Sequence, residues 1–269
     1  MLRFNRPKEP PEFARRVARA RTKIEAIVAE PRSPESGDFD SVWREFKRFF
    51  RDAQCGKCGY CETFIRGDQY GDLEHFHPKA ELKRIASHVT RPWTSEERPP
   101  AEVGCETGSW WLAYEWLNYL YACVICNEYW KRELFPIETP QVVPLARGCD
   151  ASEKPLLLNP YGDEVPERHL RFDFEGRIFA REDSRHGNET IETCGLHRYD
   201  LVYVRGEIAR RVRGLLHEIT HGRTQETADR SVRELHELGA RGRRFAGMVR
   251  MLVEDRMPGM VCALWPDHF

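Results

Sequence analysis

The sequence predicts a mostly α-helical α+β protein folded around a zinc-stapled finger, and three features predict it. Amphipathic helical patterns occupy both ends of the chain. Two C-x-x-C pairs, Cys58-Gly59-Tyr60-Cys61 and Cys123-Val124-Ile125-Cys126, lie in its middle. Between and just after them come Glu74-His75, Asn118 and Asn127, a carboxylate, an imidazole and two amides that can build a second, open site.

Composition bounds the problem. The chain has 269 residues, of which 41% are hydrophobic and 11% aromatic, so a sizeable core is within reach. Charged residues make up 32%, yet the net charge is −1, so any nucleic-acid contact must use local rather than general positive charge. Nine cysteines is an odd count, and no apolar leader opens the chain, which argues against a secreted disulfide framework. No stretch approaches the roughly 20 apolar residues that cross a bilayer. The expectation is a cytoplasmic, membrane-free protein whose paired cysteines hold metal.

Three segments are expected, N-terminal helices over 1–54, a core with an insertion over 55–138, and a C-terminal hairpin and helical region over 139–269. Phe13, Val17, Ile24, Ile27 and Val28 repeat at helical spacing over 12–30, and Pro31 ends the run. Val42, Trp43, Phe46, Phe49 and Phe50 mark a second helix over 40–53. Gly56, Gly59, Gly67 and Gly71 make the stretch over 55–79 turn-rich, with short strands. Residues 80–108 carry few apolar side chains and Pro92, Pro99 and Pro100, and read as an insertion or long loop. A short aromatic helix is expected over 109–117, an extended segment over 118–123, and a helix opening at Cys126 that carries Asn127 and Lys131. Residues 139–162 are Pro-rich and irregular, with a short buried strand at Leu156-Leu157-Leu158. A hairpin turns at Glu175-Gly176, and two helices follow, over 200–220 and 224–254.

Each C-x-x-C can form a knuckle that points two sulfurs at one ion, and two knuckles give a closed tetrahedral site that stabilises folding. Cys55 offers an alternative partner for the first knuckle, but Cys58 and Cys61 are preferred. Glu74, His75 and Asn127 suit different chemistry. A neutral imidazole with a pKa of roughly 6.5 is a good base at neutral pH. Carboxylate and amide oxygens suit Mg²⁺ or Mn²⁺. Neighbours on an extended strand point to opposite faces, so Glu74 and His75 need a local bend to serve one site. His77 is an alternative base or ligand.

These residues resemble the HNH endonucleases, the ββα-metal or His-Me finger family. The likeness runs through Cys58/Cys61, Glu74-His75, Asn118, Cys123/Cys126 and Asn127. It implies that His75 is the general base, that Glu74 and Asn127 hold the catalytic ion, and that Asn118 braces the loop orienting His75. It also places a basic or metal-facing residue at Lys131. The wider pattern, C-x-Y-C-E, E-H-F-x-P-K, W-x-N-Y, C-x-x-C-N-x-x-x-K and F-P, is similar to the HNH partner of Septu-type and retron-associated anti-phage systems. Leu158-Asn159-Pro160 and the run from Glu189 to Leu196 continue the likeness. His77 departs from that branch, where Arg or Tyr is expected, and Glu74 stands where the wider family ordinarily has Asp or His.

The resemblance implies a metal-dependent hydrolase of nucleic acid, with DNA favoured over RNA, working beside an ABC-type or AAA-like ATPase that restrains or directs it. Two alternatives stand beside it, a zinc-binding interaction module that cuts nothing and an RNA-cleaving HNH nuclease. Arg205, Arg210, Arg211 and Arg213, and further along Arg241, Arg243, Arg244 and Arg250, are possible phosphate contacts. Lys79, Lys131 and Arg132 stand closer to the proposed chemistry.

Overall fold

A computed structural model describes residues 1–65, 71–85, 102–138 and 154–266. The first helix, α1 (Phe13–Val28), buries Phe13, Val17, Ala20 and Ile24 and turns its arginines outward. The Phe13 ring meets Phe46, Trp116 and Tyr119 edge-on, with centroids 5.0–6.1 Å apart. The second helical stretch opens as a 3₁₀ helix (Val42–Phe46) and continues as α2 (Lys47–Ala53). A 3₁₀ turn stacks positions i and i+3, and Trp43 and Phe46 are the two residues it buries.

Three antiparallel strand pairs follow, which makes the protein mixed helix and strand. β1 (Gly71–His75) pairs with β4 (Tyr119–Cys123), setting Glu74 opposite Leu120 and His75 opposite Tyr119. β2 (Glu81–Ile85) pairs with β3 (Glu102–Thr107). The loop expected over 80–108 is therefore corrected at both ends, while Pro92, Pro99 and Pro100 lie outside the described residues. The pairing was hidden because Leu82 is the one residue of β2 that is fully buried, so no alternation shows. The aromatic helix expected over 109–117 is instead two 3₁₀ turns, Trp110–Leu112 and Trp116–Asn118. Their spacing buries Trp111 and Trp116 while leaving Leu117 exposed.

After β4 the helix expected to open at Cys126 forms as a π-helical turn, Ile125–Lys131, which carries Asn127 and Lys131. Residues 139–153, expected to be irregular, lie outside the described residues, as does Gly67. Leu156, Leu157 and Leu158 are buried, but only Pro155 beside them makes a bridge, to Ile137. β5 (Leu170–Phe172) and β6 (Ile178–Ala180) form the expected hairpin.

α3 (Arg185–Thr193), capped by Ser184, was not foreseen, and α4 (Tyr199–His221) follows it. The helix expected over 224–254 is broken into α5 (Gln225–Leu238) and α6 (Ala246–Arg256), with α7 (Met260–Leu264) beyond. The break falls at Gly239, where a Cβ would stand 2.1 Å from the Trp265 ring, so the tryptophan occupies the space a side chain would need. One core cluster draws on Phe13 and Phe50, on Leu73, Trp116 and Tyr119, and on Leu196, Leu215 and Val249.

Candidate metal centre and the adjoining Glu74–His75 site

The first knuckle is a tight turn closed by Glu62 N–H donating to the Cys58 carbonyl (3.0 Å) and Cys58 N–H donating to that of Thr63 (3.0 Å). Glu62 takes a left-handed conformation (φ 60°) to end it. Gly59 N–H donates to the Tyr121 carbonyl (2.9 Å), which fastens the knuckle to β4. The second knuckle starts at the last residue of β4, and Cys126 N–H donates to the Cys123 sulfur over 3.5 Å.

Cys58, Cys61, Cys123 and Cys126 are buried, and their four sulfurs lie within 4.8 Å of one another. The Cys61 and Cys123 sulfurs are 3.9 Å apart. Tetrahedral Zn–S bonds of about 2.3 Å place sulfurs about 3.8 Å apart. The spacing and the all-sulfur donor set fit zinc, and these four cysteines could hold one ion. Burial pushes the Cys58 thiol well up, so four thiolates could coexist here only with a cation between them. Cys55 and Cys262 are exposed and Cys194 is buried, all outside the cluster. Cys149 and the side chain of Cys105 lie outside the described residues.

Glu74 and His75 sit at the end of β1 on opposite faces, each 6% exposed. Glu74 faces the π-helical turn, where Lys131 Nζ stands 2.6 Å from its Oε1. The same ammonium donates to the His75 carbonyl (3.2 Å). Lys131 is itself fully buried. Burial pushes the Glu74 carboxyl up against the pull of Lys131 and Lys79. His75 turns the other way, edge-on to Trp43 (4.6 Å) and Tyr119 (5.2 Å). Its Nε2 lies 2.9 Å from the Ala113 carbonyl. A carbonyl only accepts, so Nε2 carries the proton and Nδ1 the lone pair. Burial, with Lys79 and Lys131 nearby, holds this imidazole well below the ordinary histidine range, so it is neutral.

Asn118 clamps the segment that follows. Its Oδ1 accepts from His77 N–H (2.7 Å), and its Nδ2 donates to the carbonyls of His77 and Leu112 (3.1 Å each). The His77 ring lies against Phe135 with centroids 4.4 Å apart. Asn127 is half-buried on the π-helical turn, four residues before Lys131. Lys79 is anchored over the rings of Trp43 (5.2 Å) and Phe39 (5.7 Å).

Four other basic candidates are already engaged. Arg132 pairs with Glu102 (2.7 Å), and Arg211 with Glu234. Arg205 and Arg250 are buried, donating to the carbonyls of Leu196 (2.6 Å) and Gly239 (2.8 Å). Buried arginines bonded to carbonyls cannot also reach a phosphate, so Arg205 and Arg250 drop out. Arg210, Arg211 and Arg213 stay exposed on α4, and Arg241, Arg243 and Arg244, expected on a helix, lie on the turn between α5 and α6. Sequence reasoning missed Trp43 and Ala113, which orient His75, and Arg198, which touches Cys126. Trp43 was legible only as a core residue, and nothing local marks a backbone carbonyl as an acceptor.

No family model matches the chain. It is 35% identical over 172 residues to the Septu protein PtuB of Bacillus mycoides, an alignment covering 64% of this chain and 52% of that protein. The chain thus spans about half the length of the curated relative it matches. Among the described residues, no helix is long and apolar enough to cross a membrane.

Proposed function

We propose that this chain is a divalent-metal-dependent HNH-type endonuclease, the nuclease component of a Septu-type anti-phage defence complex. The observation that carries the reading is the anchored His75 at the end of β1, with Asn118 bracing the segment after it and Glu74 and Lys131 on the strand's other face. All lie on or against the strand pair and turn that also carry Cys123 and Cys126, and the two faces would have to be bridged by the substrate and ion. β1, β4 and the π-helical turn then correspond to the two strands and helix of a ββα-metal finger. Similarity to a Septu protein supports the defence role, and the ATPase partner belongs to the same reading.

In this reading zinc in the four-thiolate site is structural, because a site closed by four sulfurs has no open position. Glu74 and Asn127 would hold Mg²⁺ or Mn²⁺. Such an ion supplies charge stabilisation to a phosphoryl group and its leaving oxygen when bound. The chain's own residues do the rest. His75, neutral and anchored by Nε2–H to Ala113, presents Nδ1 as the proton acceptor for water. Trp43 and Tyr119 fix the ring plane. Asn118 sets the backbone after the base by gripping both polar groups of His77. Lys131 is fully buried and neutralised by Glu74, so of the nearby cations Lys79 is the one placed to face a phosphate, while both lysines act electrostatically on Glu74 and His75.

One observation favours a second reading, a zinc-stapled binding module that cuts nothing. Glu74 and His75 are both nearly enclosed, and Glu74 already has a cationic partner. The test is cleavage of plasmid DNA and total RNA with Mg²⁺ or Mn²⁺, comparing wild type with His75→Ala, alone and with the proposed ATPase partner. We expect DNA cutting by wild type only, with the variant folded and zinc-loaded. Equal cutting by both would sink the base assignment. Cutting of RNA alone would select the RNA-cleaving alternative. Saturable binding without cutting in every condition would select the binding module.

A further inference from the structure

The turn between α3 and α4 reaches back to the cysteine centre. It is built from Cys194-Gly195-Leu196-His197-Arg198, and it packs on the π-helical turn. Gly195 is left-handed (φ +56°), and a Cβ there would stand 2.0 Å from the Trp130 ring. His197 meets the same indole edge-on at 5.3 Å. This contact delivers Arg198, which is 3% exposed, to the metal ligands.

The guanidinium of Arg198 is fixed from several sides. Nη1 lies 3.5 Å from the Cys126 sulfur, 3.4 Å from the Cys194 carbonyl and 3.1 Å from the Gly195 carbonyl. Nε lies 3.1 Å from Asp200 Oδ1, whose side chain is 60% exposed. A buried cation is costly unless paired. Asp200 is largely in water, so its charge is screened and offsets little of that cost. With zinc bound the four sulfurs would be thiolates, and they would then supply the buried counter-charge that Arg198 faces at 3.5 Å from Cys126. Four thiolates around one Zn²⁺ leave a net charge of about −2, which itself needs compensation.

We propose that Arg198 is the outer-sphere partner of the zinc–thiolate centre. Its guanidinium neutralises part of the surplus negative charge through the Cys126 sulfur, and so ties the C-terminal helices to the metal. Arg198 is a positioning residue in this role. The inference rests on zinc occupying the four-cysteine site and is independent of any nuclease activity.

The test measures zinc content, zinc transfer to a chromophoric chelator, and the pH midpoint of zinc release for wild type, Arg198→Met and Arg198→Lys. Removing an outer-sphere partner costs about 10- to 100-fold in metal affinity. Arg198→Met should lose zinc that much more readily and release it at a higher pH, because its thiolates protonate without a cation beside them. Arg198→Lys keeps the charge and should restore most of both. A contact that matters only through packing would leave the pH midpoint unmoved, or make lysine as damaging as methionine, and either result overturns the proposal. If Arg198→Met does not fold, Arg198→Lys decides alone. Zinc transfer at close to the wild-type rate and affinity supports the charge role, and a loss of zinc affinity of about 10-fold or more refutes it. Wild type purified without zinc would end the zinc reading itself, whereas zinc-loaded wild type with unaltered Arg198→Met ends only this inference.

Discussion

At the residue scale, the informative feature is a pair of buried charges at the end of β1. Lys131 and Glu74 are 2.6 Å apart and nearly or fully enclosed. Breaking such a pair leaves an uncompensated ion, which costs about 3–5 kcal/mol. Lys131→Met should therefore destabilise the protein by that order in urea unfolding. Adding Glu74→Gln to it should recover part of the loss, because the stranded charge is removed. A double variant no more stable than Lys131→Met would show that the pair matters through packing instead. Glu62 gives a pH-dependent case. Burial alone would raise its carboxyl, but the Met1 ammonium (3.0 Å), Lys57 (3.3 Å) and Gly247 N–H hold it at about 2. A depressed carboxylate stabilises above its unfolded value near 4.5 and loses that contribution as pH falls toward 2. The shift corresponds to about 3 kcal/mol. The stability gap between wild type and Glu62→Gln should be full at pH 6 and shrink steadily from pH 5 to pH 3. A gap that stays constant over that range would contradict the ion-pair account.

At the scale of elements, the turn before α4 makes a sharp prediction. Gly195 combines a positive φ with a Cβ position inside the Trp130 ring. Gly195→Ala meets both penalties, backbone strain of about 1–3 kcal/mol and an overpacking cost of similar size. We expect it to be destabilised by about 3 kcal/mol in thermal or urea unfolding. Stability within about 0.5 kcal/mol of wild type, the scatter of ordinary surface changes, would mean that the turn does not pack as described. The elements also show what was legible in sequence. Both N-terminal helices and the β5–β6 hairpin follow local rules, since Phe13, Val17 and Ile24 repeat at helical spacing and Glu175-Gly176 marks a turn. β2 and β3 do not, because they are partners far apart in sequence with one fully buried side chain in β2. The long helix expected over 224–254 failed for a similar reason. Trp265, a residue distant in sequence, claims the space above Gly239. The four cysteines were legible because metal ligation leaves a spacing rule, C-x-x-C, that survives any insertion between the pairs. Lys131's contact with Glu74 and Arg198's contact with Cys126 obey no spacing rule.

At the scale of the whole molecule, the question is whether the cysteine centre supports a finger alone or the entire chain. Sequence reading divides the chain at 54 and 138, yet one core cluster takes side chains from all three segments. The N-terminal stretch is fastened to the same region. Arg6 donates to the carbonyls of Trp116 (3.3 Å) and Tyr119 (3.0 Å), and Phe4 N–H to that of Pro160 (2.7 Å). Arg198 joins the C-terminal helices to Cys126. A shared core with contacts crossing every proposed boundary is expected to behave as one cooperative unit, so that zinc binding at the cysteine centre would contribute folding free energy to all of it. With zinc in the four-cysteine site, stripping it with a strong chelator, or replacing Cys123 with Ser, should lower the midpoint of the whole transition. Tryptophan fluorescence, reporting mainly on the middle of the chain, and far-UV circular dichroism, dominated by α4–α6, should move together. Independent domains would give a different result, in which fluorescence responds to chelation while helical dichroism persists to its original midpoint. That outcome would restrict the cysteine centre to the finger and leave the C-terminal helices to fold by themselves.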